Sequence, residues 1–197
     1  MIKRAISVSF VLLLFFLIAC ENDIKLDNRL SEAKLTDREK FLLSSTSDQS
    51  FVFDFHTDKK YKQVSVWIDK YEFGKLTEEN IGRLTTDIKE NGIIIFSSSK
   101  ISLDEETVIF NINVGDDHSS SKITSRQVLP TANQSTWGSS HLESIPVSDH
   151  IVLATNCYAN GNGMSTLSTE FYSDMDSRIS ELENYDVVYV LRSEFHK

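Results

Sequence analysis

Asp54, His56 and Asp58 lie two apart in a stretch that also carries Phe51, Val52, Phe53 and Phe55. Residues two apart on a strand share a face. The three therefore make an Asp-x-His-x-Asp row able to hold a metal ion weakly through carboxylates and an imidazole. A solvated strand end presents the same pattern, and that plainer reading is favoured, so neither a metal nor a cofactor is expected. Asp116, Asp117 and His118 follow Gly115 and precede three serines, where turn chemistry accounts for the acids and no calcium-loop spacing follows. Asp174 and Asp176 stand where a helix would begin, a place that suits negative charge. Gly-x-Ser-x-Gly, Ser-x-x-Lys and His-Glu-x-x-His do not occur, so no catalytic residues are assigned. Gly161-x-Gly163 lacks the third glycine of a dinucleotide loop and reads as a turn. Cys157 sits in the apolar run from Ile151 to Tyr158 and reads as a small core residue. A pocket in which Asp54, His56 or His150 converged would instead mark an enzyme.

A row of aromatics offers a different chemistry. If Val64, Val66 and Ile68 face the core, then Trp67, Tyr71 and Phe73 lie together on the other face of the same strand. Such a row forms a platform for a protein partner or a glycan if it is exposed. Cover by a second sheet or by a terminal helix is the favoured alternative.

The elements that would position these residues are mostly strands. Phe51–Phe55, Tyr61–Phe73, Ile81–Ile88, Val108–Val114, Ile151–Tyr158 and Asp186–Arg192 alternate or run apolar, as half-buried or central strands do. Asn91-Gly92 between two apolar-rich runs predicts a tight hairpin turn. Ile123–Leu129 is a weaker strand, and residues 131–149, with no clear period, read as a long loop. Phe171, Met175, Ile179 and Leu182 have helical spacing, which predicts an amphipathic helix over about residues 174–184. Tyr185 before the last strand also resembles a tyrosine corner. The pattern predicts a mainly β fold, an antiparallel β-sandwich of about seven or eight strands with one helix near the C-terminus. Upstream, Thr36 with Glu39 three residues later suggests a capped short helix. Ser44–Ser50 has linker composition.

The N-terminus carries the most specific motif. Lys3 and Arg4 precede a roughly 15-residue apolar stretch, shorter than the roughly 20 residues a spanning helix needs. Leu17, Ile18, Ala19 and Cys20 close it, and these residues resemble the lipobox of bacterial lipoprotein signal peptides. The resemblance covers residues 1–20 only. It implies removal of residues 1–19, a diacylglyceryl group on the Cys20 thiol and acylation of the new amine. Two acyl chains anchor stably where one is marginal. In composition the remainder resembles small envelope lipoproteins of Gram-positive bacteria. The implied address is the outer face of the cytoplasmic membrane, with the membrane as a partner through the lipid.

The chain has 20 basic and 29 acidic residues, a net charge of −9, and loss of the signal's Lys3 and Arg4 takes it to −11. That balance disfavours nucleic acid as a partner. With Cys20 spent on lipid, Cys157 has no disulfide mate in the chain. The organisation expected is a removed signal at 1–19, a lipidated cysteine and polar tether at 20–50, and a single sandwich-like domain at 51–197. The function expected is a non-catalytic binding or structural β domain held at the membrane, with an envelope protein or glycan as partner. A lipid-anchored envelope hydrolase or metal-dependent enzyme is the alternative. Replacing Cys20 (Cys20→Ala) should release the protein from the membrane or leave it unprocessed. A Cys20→Ala chain that fractionates with membranes at the mature mass refutes the anchor.

Overall fold

The structure, a computed structural model, describes residues 28–102, 106–129, 134–140, 143–160 and 164–197. Leu17, Ile18, Ala19 and Cys20 lie outside the described residues. Eleven described strands form two antiparallel sheets that pack as a β-sandwich. One sheet has the order β7-β6-β5-β2-β1-β9, formed by Ser120–Val128, Glu106–Gly115, Asn91–Ser102, Gln49–His56, Arg29–Glu32 and Ile145–Pro146. The other has the order β4-β3-β11-β10-β8, formed by Lys75–Asp87, Gln63–Glu72, Val187–His196, Ile151–Ala159 and Gln134–Ser139. Every pairing is antiparallel, as short connections between successive strands allow.

Val64, Val66 and Ile68 are fully buried in the layer between the sheets, with Phe53, Ile94, Phe110 and Leu191. β11 is buried on both faces because it is the middle strand of its sheet, as its unbroken apolar run predicts. A second, smaller core lies on the outer face of that sheet. There α2 (Thr169–Ser173), α3 (Met175–Arg178) and a 3₁₀ turn (Ile179–Asn184) bury Phe171, Met175 and Leu182 against Tyr71, Cys157 and Val190. The single amphipathic helix expected is thus three short pieces, broken at Asp174, whose carboxylate caps α3 by accepting from the Ser177 N–H. Ile179 turns outward. The Tyr185 hydroxyl donates to the Ser165 carbonyl at 2.5 Å, tying the helical layer to the start of β11.

Several expectations are corrected. Residues 29–50 are not a tether. β1 pairs with β2 on one side and β9 on the other, and Leu30 is fully buried. A helix α1 (Asp37–Ser44) follows, with the expected box of reciprocal bonds between Thr36 and Glu39. The domain therefore begins near residue 29, not at 51. Asn91-Gly92 does not turn a hairpin. Both residues lie in β5, opposite His56 and Phe55, and the chain at 88–90 crosses from one sheet to the other. Glycine is required at 92 because a Cβ there would collide with the Phe55 ring. The two-residue hairpin lies instead at Phe73 and Gly74, with φ of 49° and 77°. Positive φ at both positions is what such a turn demands. The stretch 131–149 contains the strands β8 and β9 in place of a long loop.

Leu30→Ala should destabilise the domain by about 2–5 kcal/mol, the cost of emptying a filled core position. Urea unfolding measures it. A tether residue would shift stability by less than about 0.5 kcal/mol.

Candidate functional site

A cleft opens between the two sheets, bounded by β8, the outer strand of one, and by the start of β2 and the later part of β5 in the other. Its volume is about 170 Å³. Asp48 and Gln49 come from the start of β2, Ser98 and Lys100 from β5, Ser135, Thr136 and Trp137 from β8, and Asn156 and Tyr158 from β10. Trp137 stands at the mouth, 48% exposed. Its direction follows from β8 being an edge strand and from its neighbour Gly138. A Cβ at 138 would meet the Tyr172 hydroxyl, which is bonded to Thr155 Oγ1 at 2.9 Å. That contact ties one face of β8 to the helical layer and leaves the indole on the other, beside the cleft.

Asn156 forms part of the deep wall and is 4% exposed. It is directly opposite Trp137 in the β8–β10 register and opposite Tyr189 in the β10–β11 register. Its Nδ2 donates to Ser98 Oγ at 2.9 Å, a polar link across the sandwich. Its Oδ1 has no hydrogen-bond partner. That oxygen is sealed from solvent as well, so a donor in the cleft does not reach it. The Lys100 ammonium sits 5.2 Å above the Tyr158 ring, and its backbone N–H donates to Asp48 Oδ2 at 2.6 Å. The cleft thus carries one acidic and one basic side chain, with an indole, two carboxamides and four hydroxyl-bearing residues.

Two other concave regions are lined by charged side chains that engage one another. At the opposite end of β2 and β5, a groove of about 440 Å³ is lined by Lys59, Tyr61, Lys89, Asp116 and His118. There Asp116 accepts from the N–H groups of His118 and Ser119, which hold its carboxyl below the ordinary range, and it pairs with Lys89 at 3.8 Å. A hollow of about 190 Å³ holds His150, Asp174 and Arg192, and the Arg192 guanidinium is engaged by Asp69 at 3.3 Å and Met175 Sδ at 2.9 Å.

Residues singled out from the sequence fall in different places. Asp54 is exposed, its carboxyl pushed up by partial burial and by Glu39. His56 bonds Asn91 through Nδ1 at 2.7 Å, and Asp58 pairs with Lys60 at 3.0 Å while accepting from Asn28. Among the described residues no three of His, Cys, Asp and Glu gather as a metal site. His150 belongs to the separate hollow, so it does not converge with Asp54 or His56.

The aromatic platform is also corrected. Trp67 is 4% exposed and Tyr71 6%, whereas Phe73, in the hairpin turn, is 65% exposed. The Arg83 guanidinium lies 4.3 Å over the Trp67 ring, and the helical layer covers Tyr71. The exposed tryptophan is Trp137, in a stretch whose lack of period hid the strand. Asn156 carried a signal, a lone carboxamide within an apolar strand at the parity of Ala154 and Tyr158.

Cys157 is buried, and burial pushes its thiol up to about 12; burial also raises the hydroxyls of Tyr158, Tyr172 and Tyr189. All four are neutral when protonated, so the folded state keeps its protons to higher pH than the unfolded chain. Their contribution is full below the ordinary thiol and phenol values of 9.0 and 10.0 and is lost as pH rises from these towards the raised values of the folded state. The urea midpoint should therefore hold up to about pH 9 and fall from there towards about pH 12, and a flat profile over that range contradicts this account.

The YgaN domain family matches residues 29–195, the span from β1 to the end of β11. No curated protein and no solved structure matches the chain. Among the described residues no helix is long and apolar enough to cross a membrane.

Proposed function

The chain belongs to the YgaN domain family, and for it we propose a lipid-anchored, extracytoplasmic binding protein that takes its ligand in the cleft beside Trp137. The anchor rests on Leu17, Ile18, Ala19 and Cys20 at the end of the apolar stretch. The binding role is carried by one observation. A half-exposed indole stands at the mouth of a cleft whose walls carry Asp48, Lys100, Ser98 and Asn156. Ligand sites join an apolar surface to a few fixed polar groups in this way. An indole, an amide and hydroxyls are groups of recognition and need no reaction to explain them.

With β1 beginning at Arg29, eight peptide units separate Cys20 from Asn28. Their covalent reach is about 28 Å at full extension. A lipidated chain would therefore hold the domain, and its cleft, close to the membrane and the envelope layer above it.

The test uses the anchored protein and envelope fragments of its host in a co-sedimentation assay. The unaltered chain should sediment with the fragments, and Trp137→Ala should weaken this about tenfold or more while leaving the thermal midpoint nearly unchanged. Equal sedimentation of the two chains overturns the cleft as the binding site.

A further inference from the structure

Resting on the lipid anchor proposed above, we infer that the domain lies with α1 and the outer face of the six-stranded sheet against an anionic phospholipid surface. The first observation is apolar. α1 buries no residue, and its Phe41 and Leu42 are 70% and 53% exposed. Glu39 is close enough to β2 to raise the Asp54 carboxyl, so that side of α1 faces the sheet. Phe41, two residues on, is turned about 200° round the helix and points away from the protein. Two adjacent large apolar side chains held out in this way are buried best at the boundary between headgroups and acyl chains.

The second observation is charge. On β7, Ile123 packs toward the core, so the exposed Lys122 and Arg126 alternate onto the outer face. Arg29, beside the buried Leu30, shares that face, and α1 with the residues leading into it adds Lys34, Arg38 and Lys40. Against these six cations the described outward residues set Asp37, Glu39 and Asp54, leaving +3 on a chain of net charge −9. The opposite face is the reverse. Its helical layer, residues 169–184, carries Glu170, Asp174, Asp176, Glu181 and Glu183 against Arg178. An anionic surface draws the first face and repels the second. The tether agrees, because the eight peptide units from Cys20 to Asn28 span about 28 Å at most and lead into β1 of this same sheet. A second copy fits less well, since two such faces bring like charges together. A soluble polyanion would meet the cations and leave Phe41 and Leu42 in water.

The experiment extracts the lipidated chain from its host's membranes and reconstitutes it into vesicles of phosphatidylcholine and phosphatidylglycerol. One set of vesicles has brominated acyl chains, which quench tryptophan on contact, and the other is plain. Phe41→Trp puts a reporter on α1, and Phe73→Trp puts one in the exposed hairpin of the other sheet. The unaltered chain supplies the background of Trp67 and Trp137. The Phe41→Trp signal should fall in brominated vesicles, and the Phe73→Trp signal should not. Adding Lys122→Glu and Arg126→Glu to Phe41→Trp should remove most of that loss, as should about 1 M salt, where the screening length shrinks to about 3 Å. Both positions are exposed, so the thermal midpoint should hold and separate lost contact from lost fold. If chains float with the vesicles but Phe41→Trp is unquenched, or quenched no more than Phe73→Trp, the docking falls and the anchor stands. Quenching indifferent to both charge reversal and salt overturns the charged face as its cause. A chain that does not float with the vesicles overturns the anchor and the docking together.

Discussion

The contact between Phe110 and Tyr189, ring centres 4.8 Å apart, is where the two sheets meet most closely through aromatic rings. It sits in a column that runs from Phe51 through Phe96 and Phe110 on one sheet to Tyr189 and Tyr158 on the other. Rings of this size fill the roughly 10 Å gap between packed sheets and contribute more than area alone through their edge and offset geometry. The cleft depends on this column. Tyr158 ends it, and the side chains beyond Tyr158 are too short or too polar to continue the filling. The sandwich is therefore closed along its middle and open beside β8, where Asn156 and Ser98 reach across in place of rings.

Much of this architecture was legible in the sequence where burial imposes a period. β2, β6, β10 and β11 carry long apolar or alternating runs, and each is a strand close to where its pattern lies. Legibility failed where an element is defined by its partners. β1 has one buried apolar residue, Leu30, and β9 is two residues long. Such strands exist because an open edge accepts them, which no local pattern records. The Asn91-Gly92 misreading has the same source. Glycine there answers the Phe55 ring from a neighbouring strand, a constraint invisible until the strands are side by side.

The aromatics of β3 show the limit for sites. Alternation correctly placed Trp67 and Tyr71 opposite Val64, Val66 and Ile68, but exposure depends on what lies over that face. Three short helical segments and the Arg83 side chain cover it. The candidate cleft draws on β2, β5, β8 and β10, residues more than a hundred positions apart, with no motif linking them. Its most telling member is a polar residue out of place in an apolar strand.

β11 is the last strand in the sequence and the middle one in its sheet, bonded to β3 and β10. Before it arrives, that sheet consists of two separate ribbons, β4 with β3 and β10 with β8. Pairing Gln63 with His196 closes nearly the whole span of the domain, a slow and entropically costly step. A chain made or threaded N-terminus first can form the local hairpins of β5, β6 and β7 early. The sandwich, however, becomes complete only when Val187–His196 is released and pairs. The fold thus carries its own check on completeness: a chain without β11 keeps two unpaired strand edges and a second sheet split into two ribbons.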